Sequence, residues 1–249
     1  MRKVMLTIYW RLEKLFHPSL KFSQTRYYEL LKANVPNDCD WVDLGCGHQM
    51  FAEWMTNQQQ ELAQRASCLV GIDLDWEGLR KNPVVHHRIY GSLEALPFST
   101  AHFNVVTANM VVEHLSHPAQ VLSEVKRLLR PDGRFLFHTP NANCVLIRAT
   151  RFLPQWVKDL FAFILEGRKG EDVFPTHYRM NTRSDIERMA TQAGFEVEQI
   201  RAVSSSAITA TLGPLSIIEL LYLRFIERPG CEPLRSNLLV ILRPDSNQR

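Results

Sequence analysis

The chain has 249 residues, 45% hydrophobic and 22% charged, with a formal net charge of +3. That length and balance suit one large globular domain with a sizeable core that needs no staple, and the net charge alone says little about partners. The five cysteines, odd in number and without a Cys-x-x-Cys, argue against a disulfide framework or a zinc cluster and for a reducing cytoplasm.

Residues 5–16 and 23–34 read as helices, separated by His17-Pro18 and stopped by Pro36. Residues 1–32 carry seven basic side chains against two acidic ones, interleaved with Tyr9, Trp10, Phe16, Phe22, Tyr27 and Tyr28. Such a segment can be an amphipathic cap with its basic face in water, or a peripheral contact with an anionic membrane. Arg11, Glu13 and Lys14 break its apolar run and no small-residue cleavage site follows, so it does not read as a signal peptide.

Strands are expected at 40–44, 68–73, 86–90 and 103–108, with a helix over 50–64 and a short one after Asp75. The helix over 118–129 sets Val121, Leu122, Val125, Leu128 and Leu129 at helical spacing and stops at Pro131-Asp132-Gly133. A strand from Arg134 to Thr139 follows. This alternation means an α/β fold, a doubly wound and mostly parallel sheet covered on both faces. The rhythm breaks over 142–180, where Val145 to Leu165 reads as a helical insertion. It resumes with a helix from Thr182-Arg183-Ser184-Asp185 to Ala193, and strands at 195–202 and 237–242. The apolar stretch Ala207 to Phe225 contains Gly213-Pro214, Glu219 and Arg224, and falls short of the ~18–20 uninterrupted apolar residues of a membrane span.

Two of the strands carry the chemistry. Trp41-Val42-Asp43-Leu44-Gly45-Cys46-Gly47 is a buried strand ending in a carboxylate and a glycine turn, and Leu69-Val70-Gly71-Ile72-Asp73 is a second strand ending in Asp. Glycine lets the backbone approach a ligand, the following helix offers free N–H groups, and a carboxylate at the second strand's end can accept from both ribose hydroxyls. Gly45-Cys46-Gly47-His48-Gln49-Met50 lacks the third glycine of a dinucleotide fingerprint, and no Walker Gly-Lys-Ser/Thr occurs.

Asp-x-Gly-x-Gly followed by Gly-x-Asp resembles the class I S-adenosylmethionine (SAM) dependent methyltransferases. Gly91 to Phe98, Phe103 to Asn109, Val112-Glu113-His114-Leu115, Leu128 to Gly133, Thr139-Pro140-Asn141 and Ala193-Gly194-Phe195 follow in that family's order. Together they are similar to its small-molecule, ubiquinone-biosynthesis-like branch. The resemblance covers roughly 40–141 and 176–202. It implies a seven-stranded Rossmann-like sheet in a single domain over 1–249: an N-terminal helical cap (1–36), a SAM-binding core (37–141), a helical lid (142–180) and the C-terminal part of the sheet (181–249). It implies that Asp43, Gly45, Cys46 and Gly47 line the methionine part of SAM and that Asp73 holds the ribose. Leu74, Ser92 and Leu93 then flank the adenine, and Asn109 faces the transferring methyl group. Three positions depart from the family pattern: Gln49 where glycine is common, Ser92 where a carboxylate is common, and Asn104 where an acid precedes strand four.

A hydroxyl acceptor needs a general base, and His is the usual choice. The candidates are His114 and His177, with His117, ahead of Pro118, read as a turn residue. Tyr178 and Arg179 are expected to contact the acceptor, and Phe152, Trp156, Phe161 and Phe163 form an aromatic stripe in the lid. No metal is expected, because the carboxylates that would accompany Glu113-His114 are not evident. The reading is a cytoplasmic enzyme, with peripheral membrane contact open through the basic-aromatic N-terminus. It moves a methyl group to a small-molecule, lipid-linked or glycan-precursor acceptor, at oxygen. The alternatives are an RNA or protein methyltransferase, or a non-catalytic SAM-fold protein docking on a membrane or partner. No nucleic-acid partner is expected, since no RNA-binding module is present.

Overall fold

The structure is a computed structural model that describes residues 2–145, 147–148, 175–205, 209–210, 213 and 215–245. The lid stripe Phe152 to Phe163 and Glu171 to Phe174 lie outside the described residues. The chain forms two compact units, one of residues 24–140, 176–201 and 238–249, the other of 1–23, 141–175 and 202–237.

The larger unit is built on a seven-stranded sheet: β1 (Cys39–Leu44), β2 (Ala66–Asp73), β3 (His87–Tyr90), β4 (Phe103–Asn109), β5 (Leu129–Pro140), β6 (Phe195–Val203) and β7 (Asn237–Pro244). The order is β3-β2-β1-β4-β5-β7-β6. β1 pairs in parallel with β2 and β4, β2 with β3, and β4 with β5. The nearly continuous burial of the central strands β1 and β4 is what a sheet covered on both faces requires. The chain runs outward from β1 to β3, then returns to set β4 on the other side of β1. That reversal opens a crevice at the carboxyl ends of β1 and β4, where ligands bind in open α/β sheets.

Two elements differ from the sequence reading for identifiable reasons. The expected helix over 50–64 is a single 3-10 turn (Glu53–Met55) followed by α3 (Thr56–Ala63). Side chains occupy the backbone of Met50: its N–H donates to Gln59 Oε1 (3.2 Å) and its carbonyl accepts from Asn109 Nδ2 (2.8 Å). The first turn of a longer helix therefore does not form. Pro131-Asp132-Gly133 lies inside β5 as a break in register rather than between helix and strand, since Phe103 pairs with Leu129 and Val105 with Arg134. Gly133 is needed for close approach: an added Cβ would stand 3.0 Å from the carbonyls of Arg130 and Asn104. The preceding helix, α5 (Pro118–Leu128), opens with proline in its first turn and buries Val121, Leu122, Val125 and Leu128. Thr182 caps α6 (Arg183–Gln192) by accepting from Asp185 N–H (3.1 Å).

In the smaller unit α1 (Arg2–Phe16) packs on α7 (Leu215–Ile226). Tyr9, Ala210, Leu220, Leu223 and Ile226 form the core, with Trp10, Phe16 and Tyr222 partly buried against it. The aromatics of the N-terminal segment thus face inward: Tyr9 is fully buried, and Trp10 stacks edge-on with Tyr9 and Phe22. Among the described residues no helix is long and apolar enough to cross a membrane.

Candidate active site

At Gly45 the turn after β1 is shaped by a contact that admits no side chain. Gly45 (φ +62°) and Gly47 (φ +47°) occupy the left-handed region. The N–H groups of Gly45 and Cys46 both donate to the carbonyl of Ile72, at 2.8 and 3.2 Å, tying the turn to β2. A Cβ on Gly45 would lie 2.6 Å from Val111 Cγ2, and one on Gly71 would lie 2.6 Å from Cys46 Sγ. Cys46 therefore packs inward beneath the turn, where burial pushes its thiol pKa up. Asn82, also buried, donates to the carbonyls of Cys46 (3.3 Å) and Gly47 (3.1 Å) and closes the turn from below.

Two carboxylates serve this turn in different ways. Asp73 accepts from Gly47 N–H at Oδ2 (2.8 Å) and from Asp75 N–H at Oδ1 (2.7 Å), leaving each oxygen further acceptor capacity. Asp43 is buried, and its Oδ1 accepts from Thr107 Oγ1 (2.5 Å), which in turn accepts from Trp41 Nε1 (2.8 Å). Burial, reinforced by the nearby charge of Asp73 and opposed by the Thr107 bond, raises the Asp43 pKa to about 7. Leu74 is exposed just beyond Asp73, and the Gly91 N–H donates to the Asp73 carbonyl (3.2 Å). That bond draws the turn with exposed Ser92 and half-buried Leu93 to the end of β2.

Asn109, at the end of β4, is engaged within the protein. Its Nδ2 donates to Gln24 Oε1 (2.9 Å) and to the Met50 carbonyl (2.8 Å). Its Oδ1 accepts from Gln24 Nε2 (3.3 Å) and from His138 Nδ1 (2.8 Å). The amide joins α2 (Ser23–Asn34), the turn after β1, and β5. Its two protons and two lone pairs are all engaged within the protein, so its amide ties this corner together. His138 is buried with Nε2 unpartnered, and burial pushes its pKa down to about 3, so the ring is neutral.

The acceptor candidates converge on Glu113. The Glu113 carbonyl accepts from the N–H groups of His177 (2.7 Å) and Tyr178 (3.1 Å), bringing residues distant in sequence to the 3-10 turn that carries His114. The Glu113 carboxylate accepts from Thr139 Oγ1 (3.1 Å), which accepts from Asn181 Nδ2 (2.6 Å). Burial lifts its pKa to about 7. His114 Nε2 lies 3.9 Å from Glu113 Oε1 and is partly exposed. His177 and Arg179 are exposed, and Tyr178 has a left-handed backbone (φ 50°). Among the described residues no group of three His, Cys, Asp or Glu side chains could hold a metal ion.

No site role for Gln24, Thr107, Val111, Thr139 or Asn181 was read from the sequence, because each acts through a partner far along the chain. Of the departures, Asn104 is structural: its Oδ1 accepts from Asp40 N–H (3.0 Å) and Arg130 Nη1 (3.2 Å). The Ser92 hydroxyl accepts from Glu94 N–H (3.2 Å). Gln49 is half-buried and lies outside the left-handed region.

These residues fit a nucleoside cofactor without phosphate. A Cβ on Gly47 would meet nothing nearer than Asp73 Oδ2 at 4.0 Å, so the space beside the turn is open. The carboxylate there suits a ribose diol, an apolar side chain follows for a base, and no pyrophosphate cradle is present. Fold and site together define a class I SAM-dependent methyltransferase. The chain belongs to the methyltransferase-domain family, whose model matches residues 14–200. It is 29% identical over 232 residues to a probable S-adenosylmethionine-dependent methyltransferase of Mycolicibacterium smegmatis, covering 88% of this chain and 79% of that one. It is 28% identical over 179 residues to a ubiquinone biosynthesis O-methyltransferase of Thiobacillus denitrificans, covering 68% and 69%. The crystal structure of an S-adenosylmethionine dependent methyltransferase from Mesorhizobium loti superposes with a TM-score of 0.54 at 19% identity, covering 86% and 96%.

Proposed function

We propose that this enzyme methylates a hydroxyl oxygen of a small-molecule or lipid-linked acceptor. The observation that carries the reading is the convergence of His114, His177 and Tyr178 on Glu113, beyond the end of β4 and beside the switch point of the sheet. When bound, SAM would supply an electrophilic methyl group on a sulfonium, transferred to the acceptor oxygen with S-adenosylhomocysteine as the leaving group. The chain's part is to align the acceptor, exclude water and take up the hydroxyl proton. Asp73 holds the ribose, while Gly45, Cys46 and Gly47 shape the methionine end over Asp43. Leu74, Ser92 and Leu93 border the adenine. His114 or His177 accepts the proton, and Tyr178 and Arg179 contact the acceptor. The likeness to a ubiquinone biosynthesis O-methyltransferase supports oxygen as the acceptor atom.

The test is SAM-dependent methylation of a panel of catechols, phenols and prenylated phenols, with His114→Ala and His177→Ala beside the wild type. One substitution should lower kcat by about 100-fold or more while SAM affinity stays constant, the scale of a lost general base. Unchanged kcat in both variants, or methylation confined to nitrogen acceptors, would overturn the reading.

A further inference from the structure

We propose that the smaller unit docks on an anionic membrane surface through the outward faces of α1 and α7. The two helices bury one face against each other, through Tyr9, Leu220, Leu223 and Ile226. Their other faces are exposed and share a composition. On α1 that face carries Ile8, Arg11, Lys14 and Leu15, and on α7 it carries Ile217, Ile218, Leu221, Arg224 and Phe225. Residues 8, 11 and 15, like 218, 221 and 225, follow the three-and-four spacing of one helical stripe. The apolar members are open to solvent to an extent that packing within the unit does not account for: Leu15 is 77% exposed, Ile218 63%, Leu221 52% and Phe225 48%.

Charge selects the occupant. α1 and α7 each contain one acidic residue, Glu13 and Glu219, and both are buried. Glu219 accepts from the Thr209 N–H (2.7 Å). Just past α7, Glu227 accepts from Ser204 Oγ (2.6 Å) and lies 3.7 Å from Arg235 Nε. Arg228 lies over the Phe225 ring, 5.9 Å from its centre. The outward faces therefore mix isoleucine, leucine and phenylalanine with cations and present no carboxylate. A second copy of the chain would bring the same cations face to face. An anionic bilayer answers both properties, with apolar side chains entering the headgroup boundary and cations at the phosphate level. The N-terminal aromatics take no part, because they form the core behind this face. The proposal does not depend on the identity of the methyl acceptor.

The experiment is flotation of the full chain with phosphatidylcholine vesicles, with and without phosphatidylglycerol. It uses the wild type, an Ile218→Asp/Leu221→Asp variant and an Arg11→Glu/Lys14→Glu/Arg224→Glu variant. SAM calorimetry on each variant reports that it is folded, and light scattering reports self-association. Binding is expected only to anionic vesicles, weakening as salt is raised. At roughly fivefold per cation removed, and more for reversal to an anion, the charge variant should lose at least on the order of a hundredfold. The aspartate variant should lose binding even at low salt. The proposal is overturned if a SAM-binding wild type fails to float with anionic vesicles, or if charge reversal leaves flotation unchanged. It is also overturned if the chain forms a dimer that either variant breaks while vesicles capture nothing, which would assign the face to a second copy.

Discussion

Asp43 and Glu113 sit in the two halves of the site, and they are alike in chemistry but not in construction. Each is buried, each accepts from a threonine, and each is pushed up to about 7 by desolvation. Asp43 meets Thr107 because β1 and β4 pair in parallel with those two residues in register. Strand pairing alone makes the contact. Glu113 meets its threonine at the end of β5, and its carbonyl takes the backbone N–H groups of His177 and Tyr178 from far along the chain. Its surroundings exist only after distant segments have closed. The proposed cofactor half is thus a product of sheet register, the proposed acceptor half of tertiary assembly.

The largest effect should come from the cofactor half. Asp73→Ala removes the acceptor of Gly47 N–H and Asp75 N–H together with the proposed ribose ligand. Charge-assisted bonds contribute about 1.5–3 kcal/mol each, so SAM affinity by calorimetry should fall at least about a hundredfold. An affinity within threefold of wild type would remove Asp73 from the site. Next in size is Gly45→Ala. The alanine must hold φ near +62° and press 2.6 Å from Val111 Cγ2, which should cost about 2 kcal/mol of stability in urea unfolding. Val111→Ala in the same chain should recover the part due to the clash and leave the backbone part. No recovery would mean that the turn is strained by φ alone.

The acceptor half predicts a pH effect whose sign follows from burial. Glu113 binds its proton more tightly folded than unfolded, where its ordinary value is 4.5. Its contribution therefore favours the folded state at low pH and is lost as pH rises from 4.5 through about 7. Glu113→Gln should flatten that decline, gaining about 1–2 kcal/mol relative to wild type between pH 5 and 8. His138 acts in the opposite direction. Its pKa is pushed from 6.5 down to about 3, so stability is lost as pH falls through that window, and this acid limb should persist in Glu113→Gln. A variant whose pH profile parallels wild type would show that Glu113 is ionised without penalty.

The same contrast explains what could be read in advance. The strand, turn and carboxylate arrangement of Asp43, Gly45, Gly47 and Asp73 was legible as local structure because its parts lie within a few residues of one another, and the order of β and α elements matched the sheet. His114 and His177 were legible as residue types, whereas their meeting place was not. It depends on a carbonyl at Glu113 and on Asn181, fully buried and bonded to Thr139. Asn109 illustrates the limit: its place at the end of β4 was correct, but Gln24, Met50 and His138 claim its amide, and none of the three has a spacing that announces it.

The smallest effect should separate a turn set by strand register from one tuned by side chains. Gln49 stands where glycine is common in the family, which raises the question of whether its Cβ narrows the turn. The structure gives a physical answer. Gly45 and Gly47 carry the left-handed conformations, and Gln49 has an ordinary backbone. The turn is fixed on either side of Gln49, by Ile72 and Asn82 before it and by Asn109 holding the Met50 carbonyl after it. A glycine at 49 would relieve no strain and would free a segment that is now held, at a cost of about 0.5–1 kcal/mol. Gln49→Gly should therefore leave SAM affinity within about threefold, shifting it toward weaker binding. Tenfold tighter binding would mean that the glutamine side chain occupies cofactor space, and that this half of the site, too, is governed by more than the register of its strands.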